Sequence, residues 1–226
     1  VRWPVFENVT LNGGIRYTSE DKEIDADANV RIFFPDGLGG EVPFDIPTIV
    51  DAHVETDADD VTGRAAIEWT PTEDMMLYAS YGRGFKSGGF NSQAFATPAE
   101  LTPYGPETID AFEIGIKSSW FDSRLTVNAA LFHQEIKDLQ SLIVIDDPLL
   151  GPLFFVRNAA EATNQGLEID IKARPVEGLD IALGIGLVDA EFDSFPFNDG
   201  TGRDATGNQL PTPSLTLNGL IQYEFP

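Results

Sequence analysis

Apolar and polar side chains alternate with a period of two along several separate stretches of this chain, and only an extended strand sends such neighbours to opposite faces. In residues 109–120, Phe112, Ile114, Ile116 and Trp120 share one face, and Glu113, Gly115, Lys117 and Ser119 share the other. After the tight turn Asp122-Ser123, Leu125, Val127, Ala129 and Leu131 oppose Thr126, Asn128 and Gln134. Two such runs joined so closely predict a β-hairpin.

The same grammar recurs. Leu167, Ile169 and Ile171 alternate with Glu168, Asp170 and Lys172, then Pro175-Val176-Glu177-Gly178 turns into Leu179, Ile181, Leu183, Ile185 and Leu187. Val61, Ala65, Ile67 and Trp69 oppose Thr62, Arg64 and Glu68 before the turn at 71–74. Val9, Leu11, Ile15 and Tyr17 begin the series, and Leu215, Leu217, Ile221, Tyr223 and Phe225 end it. The pattern predicts about eight strands, with boundaries good to a few residues. Short turns near 70–74, 121–124 and 174–178 alternate with long connections at 19–60, 83–107, 138–155 and 189–212. Short turns on one rim and long loops on the other are the mark of an up-and-down transmembrane barrel. The expected class is therefore all-β, with antiparallel transmembrane barrel strands forming a partial barrel wall.

Composition at first points elsewhere. The chain has 226 residues with 37 acidic and 14 basic side chains, a net charge of −23. Nucleic-acid binding needs a basic surplus and is disfavoured. There is no cysteine and only two histidines, which removes disulfides, thiolate metal sites and cysteine nucleophiles. The longest apolar runs, 142–145 and 153–156, are far below the about 18 residues of a membrane helix. So acidic a chain would suit a soluble domain, yet the charge is unevenly placed. Between Glu20 and Asp60 stand 13 acidic residues against Lys22 and Arg31, while the apolar strand faces are nearly uncharged. Trp69, Trp120, Phe121, Tyr223 and Phe225 gather where strands meet short turns, the place of an interfacial aromatic girdle.

Leu77-Tyr78-Ala79-Ser80-Tyr81-Gly82-Arg83-Gly84-Phe85-Lys86-Ser87-Gly88-Gly89-Phe90-Asn91 resembles TonB-dependent receptors of Gram-negative bacteria. Further resembling pieces follow in order: Pro106-Glu107-Thr108 with Phe112 through Lys117, Leu131-Phe132 through Ile136-Lys137-Asp138-Leu139-Gln140, and Asn158-Ala159 with Gly166-Leu167-Glu168. Asp189-Ala190-Glu191-Phe192 and Pro213 with 215–225 complete the set. The resemblance implies an outer-membrane barrel of about 22 strands around a plug. It also implies uptake of a scarce nutrient such as an iron chelate, energised through TonB. The expected partners are outer-membrane lipid and lipopolysaccharide, a ferric chelate or similar small molecule, and TonB with the plug in the full-length receptor. About eight strands are too few for such a barrel, and no plug or TonB box precedes Val1, so residues 1–226 read as a middle slice of the wall. The rival readings are a complete eight-stranded barrel with a structural or adhesive role, and a soluble carbohydrate-binding β-sandwich.

No catalytic constellation or cofactor motif is present, so no enzyme activity is expected. HExxH, GxSxG and a P-loop are all missing. Asp25, Asp27, Asn29 and Asp36 resemble part of an EF-hand loop, but Val30 replaces its glycine and Asp36 its glutamate, which favours a solvated acidic loop. Asp199-Gly200-Thr201-Gly202-Arg203-Asp204 occurs once and reads as a turn, since β-roll calcium repeats must stack. His133 sits on an apolar strand face and reads as structural or interfacial. Arg83, Lys86 and Asn91 are the candidate ligand-binding residues, because cationic groups in an acidic surround suit an anionic chelate. Pairing with nearby loop carboxylates is the competing role. Tyr104 and Phe95 are candidates for lining the same vestibule.

Overall fold

The computed structural model describes residues 1–36, 40–91, 101–147, 151–196 and 202–225. Among them, nine strands form one antiparallel sheet in chain order. They are β1 Arg2–Phe6, β2 Val9–Pro35, β3 Glu41–Thr72, β4 Met75–Lys86, β5 Glu107–Trp120, β6 Leu125–Asp147, β7 Gly151–Ala173, β8 Leu179–Ser194 and β9 Leu215–Tyr223. No helix among the described residues is long and apolar enough to cross a membrane. β1 and β9 are the opposite edges and do not pair with each other, as closure into a small cylinder would require. A sandwich would need a second sheet, and the nine strands share one.

The register turns the alternation into a belt. Trp3, Leu11, Ile67, Ala79, Ile114, Leu131, Leu167, Leu187 and Leu215 are successive cross-strand partners, one from every strand. Two residues nearer the short turns runs a second apolar row: Val9, Trp69, Leu77, Ile116, Ala129, Ile169, Ile185 and Leu217. Between them, on the other face, lie Thr10, Glu68, Tyr78, Gly115, Ala130, Glu168, Gly186 and Thr216. Exposed apolar surface costs about 25 cal/mol per Å² in water, so a continuous apolar belt across the sheet calls for an apolar solvent. Ile114, Leu131 and Leu217 are each more than half exposed.

Aromatic residues bound this belt on both sides. Trp69, Trp120, Phe121, Tyr223 and Phe225 are exposed at the short-turn rim, and Trp120 donates its ring N–H to Ser118 at 3.0 Å. At the opposite rim Tyr17 donates to Asp59 at 3.0 Å and Tyr81 donates to Asp110. From Phe112 to Trp120, β5 covers roughly 26 Å at about 3.3 Å per residue. A tilted membrane strand has about that length.

Above that rim the strands continue. The connections expected as long loops at 19–60 and 138–155 are mostly paired strand: β2 and β3 stay in register from Val9 with Trp69 to Pro35 with Glu41, with one irregularity at Ala28/Val30. β6 and β7 likewise pair out to Asp147 with Gly151. Alternation persists here in a muted form. Ile24 and Ala26 on β2 and Ala52 and Val54 on β3 make one apolar face, covered by the buried Leu101. The connection at 189–212 also folds back on itself, through bridges of Glu191 with Gln209 and Pro196 with Asp204.

Candidate functional site

The described residues after β4, 87–91 and 101–106, pack against the extended β2–β3 and β6–β7 hairpins. Ser87 and Gly88 are fixed to β2: Lys22 donates to the Ser87 hydroxyl and the Gly88 carbonyl, both at 2.7 Å. Glu20 stands 3.2 Å from the same ammonium. Gly89 and Tyr104 then exchange backbone hydrogen bonds of 3.0 and 2.9 Å, closing the segment on itself.

The other side is fixed to β6 and β7. Asn158 accepts from Gly105 N–H at 2.6 Å and donates to the carbonyls of Gly105, Pro106 and Asp138 at 3.0, 3.3 and 2.7 Å. Gln140 donates to the carbonyls of Lys86, Ser87 and Gly105. Its own N–H donates to Glu107 at 2.9 Å. Four of the sequence pieces that carried the family resemblance, around 86–91, 106–108, 140 and 158, therefore meet at one junction. Their spacing in the chain follows from where the strands bring them together.

Asn91, 8% exposed, receives Val156 N–H at 2.6 Å and donates to Val156 carbonyl at 3.2 Å, so its amide replaces a missing strand neighbour. Arg83 pairs with Gly63 and Asp110 in the sheet, on the face that carries Tyr81 and Phe112. Its guanidinium lies 3.1 Å from Asp110. Lys86 ends β4 opposite Glu107 and is exposed, on the polar face. Arg83 and Lys86 thus lie on opposite faces of the sheet, and Asn91 is committed to the junction. Tyr104 belongs to the junction through its backbone, and Phe95 lies outside the described residues.

Sequence reasoning missed Lys22, Gln140 and Asn158. Gln140 and Asn158 each stood inside a resembling piece, which was the available signal; Lys22, one of two basic residues in an acidic stretch, offered a second.

The polar face below the junction is lined by Arg16, Arg64, Tyr78, Glu113, Lys117 and Glu168. Arg16 and Arg64 border an open groove of about 710 Å³ together with Glu20 and Ser87. Tyr78 lies flat over Gly115, where an added Cβ would stand 2.6 Å from the ring. The Lys117 ammonium sits 5.7 Å from the centre of that ring. This face is charged and carries cationic and aromatic groups side by side. Within the described residues the three side chains that offer metal-ligand atoms close together are Glu23, His53 and Glu55, on the far side of β2–β3.

One apolar belt, a charged opposite face and a one-sheet meander are what a segment of membrane barrel requires, and the sequence profile described as TonB dependent receptor-like, beta-barrel matches residues 1–226. The chain belongs to the TonB-dependent receptor β-barrel family. It is 27% identical over 168 residues to a probable TonB-dependent siderophore receptor, PiuA, of Acinetobacter baumannii, covering 70% of this chain and 21% of that protein. It is 25% identical over 164 residues to the metal-pseudopaline receptor CntO of Pseudomonas aeruginosa, covering 73% and 21%. Among solved structures, the ferric yersiniabactin uptake receptor FyuA from Yersinia pestis superposes with a TM-score of 0.69 at 19% identity, covering 97% of this chain and 29% of that one. The chain thus spans about a fifth of the curated relatives' length, and it shares the fold of outer-membrane receptor barrels.

Proposed function

We propose that this chain forms part of the barrel wall of an outer-membrane receptor that binds and takes up a scarce nutrient, most simply a ferric siderophore, without chemistry on it. The observation that carries this reading is the unbroken apolar belt backed by a charged face, which suits lipid on one side and a hydrated lumen on the other. The siderophore receptors among its relatives support the cargo class. Lipid and lipopolysaccharide surround the belt, and TonB and a plug act in the whole receptor.

Within this wall, Arg16, Arg64 and Lys86 serve as the cationic contacts for an anionic chelate. Arg83 holds Asp110 at the outer rim, and Asn91 anchors the segment after β4. The test is uptake of radioactive iron by iron-starved cells from ferric hydroxamates, catecholates and mixed chelates. Deleting the receptor gene is expected to abolish uptake of one chelate, and loss of TonB to do the same. Unchanged uptake of every chelate would refute the iron assignment.

A further inference from the structure

On the polar face, nearer the short turns than Lys117, three cations gather where β6, β7 and β8 reach the rim. Arg124, Lys172 and Arg174 line a cavity of about 250 Å³ with Ser123, Thr126 and Asp180. The register places them there: Thr126 pairs with Lys172, and Lys172 with Ala182. Two residues nearer the turns, Arg174 N–H donates to the Arg124 carbonyl at 2.7 Å, so the two arginines stand directly across the ladder. All three cations are exposed and reachable by a solute.

Their charge is not balanced locally. Asp180 accepts from Arg174 Nε and is the one carboxylate among the described residues that line the cavity. That bond leaves both terminal amino groups of the Arg174 guanidinium to donate elsewhere. Among the described residues, neither Arg124 nor Lys172 has a partner for its side chain. Two unpaired cations beside a third are the reverse of what a chain with 37 acidic and 14 basic side chains favours. Like charges directly across a ladder repel, so Arg124 and Arg174 both gain from an anion placed between them.

Two hydroxyls add further donors. Ser119 donates to the Ser123 oxygen at 3.2 Å, which leaves the Ser123 O–H to donate in turn. Thr126 brings a second hydroxyl beside Lys172. Ala182 and Leu220, cross-strand partners on the same face, give the cavity an apolar side, where charge-assisted hydrogen bonds are screened less than in open water. Ser123 and Arg124 reach the cavity through a turn in which Phe121, Asp122 and Ser123 are all left-handed, at φ of 57°, 54° and 64°. L residues adopt that conformation at a cost, and such costs concentrate at ligand clamps.

We propose that Arg124, Lys172 and Arg174, with the Ser123 and Thr126 hydroxyls, form a binding site for an oxyanion, a carboxylate or phosphate group, at the inner short-turn rim of the wall. Asp180 orients Arg174 for it. The short-turn rim of a membrane barrel is the periplasmic one, so the site lies at the exit of the lumen. That placement rests on the barrel-wall reading. The anionic group of a departing cargo and a free small anion share this chemistry, and the test separates them.

The test treats the whole receptor, in detergent at low ionic strength, with phenylglyoxal, which modifies reachable arginines, and reads each arginine by peptide mass spectrometry. Inorganic phosphate or citrate, each at about ten times its half-protecting concentration, is expected to slow labelling of Arg124 and Arg174 about tenfold. The exposed Arg157 should label at an unchanged rate. K172Q should raise the half-protecting concentration about 10- to 100-fold, and K172R should restore most of the loss. K137Q, the same change at an exposed lysine near the opposite rim, should leave it within about twofold. Each variant must keep the heat-modifiable migration of a folded barrel. The ferric chelate selected by the uptake assay is the third probe: protection at lower concentration than phosphate and citrate assigns the site to cargo, and protection by the free anions alone assigns it to them. Failure of the iron assignment would leave the phosphate result standing. The proposal fails if Arg124 and Arg174 label at unchanged rates in the folded receptor, if chloride at equal ionic strength protects as well as phosphate, or if K137Q costs as much as K172Q.

Discussion

Truncating Asn158 to alanine should release the segment after β4 from the β6–β7 hairpin while leaving the barrel wall intact. The side chain makes one accepting and three donating contacts, all to backbone groups of Gly105, Pro106 and Asp138. A hydrogen bond contributes about 0.5–1.5 kcal/mol net, and an orphaned, partly buried N–H such as that of Gly105 costs about 1–3 kcal/mol. These contacts share two short stretches of backbone and overlap in effect, so the loss comes to about 2–4 kcal/mol of local stability. At about 1.4 kcal/mol per decade, the amides of Gly89, Tyr104 and Gly105 should exchange roughly 30- to 800-fold faster. Hydrogen exchange read by mass spectrometry on the detergent-solubilised receptor resolves this. Peptides covering 101–107 should lose protection, and those covering 113–118 should not. Protection at 101–107 within twofold of the unaltered receptor would refute the latch. So would a uniform loss across β5.

Other expectations follow from the wall itself. Gly166→Ala drives a methyl against the Leu187 carbonyl and to 2.7 Å from the Phe132 ring, and should cost about 1–3 kcal/mol of folding stability in lipid vesicles. Gly14→Ala, with nothing within 4 Å, should stay within about 0.5 kcal/mol in the same urea titration. Leu131→Arg, in the middle of the belt, should cost about 2–4 kcal/mol, whereas Asn128→Arg on the polar face should cost little. The Asp204 carboxyl is held below its ordinary range first by the Thr206 hydroxyl and then by the Thr206 N–H. Its contribution is therefore present above the unfolded-state value and lost as pH falls through the depressed one. Exchange of the Thr206 amide should accelerate across that acidic window, and Asp204→Asn should remove the pH dependence.

Much of the wall was legible because its chemistry is local. Phe112, Ile114 and Ile116 announce a face by spacing alone, and Trp69 and Trp120 mark its lower edge. The extended hairpins were harder to read. Asp21, Glu23, Asp25 and Asp27 alternate with Lys22, Ile24 and Ala26, but dense charge lowers strand propensity, and the residue that covers the apolar side, Leu101, lies far along the chain. Arg83 was readable as a rim residue but not as one paired outward with Asp110, since its face depends on the register of β4 with β5. The junction at Asn158 shows the opposite case. Its pieces were visible as separate resemblances, and only the fold shows that an asparagine, a glutamine and a proline-led turn meet at one point.

The apolar belt and the charged face of this one sheet call for two different solvents. The chain has no cysteine of its own, so single cysteines introduced along β5 can carry a spin label at each position from Phe112 to Lys117 in the reconstituted receptor. Accessibility to oxygen should peak at Phe112, Ile114 and Ile116, and accessibility to a water-soluble nickel chelate at Glu113, Gly115 and Lys117. Equal accessibility to the nickel chelate on both faces, or no alternation at all, would contradict the barrel-wall reading.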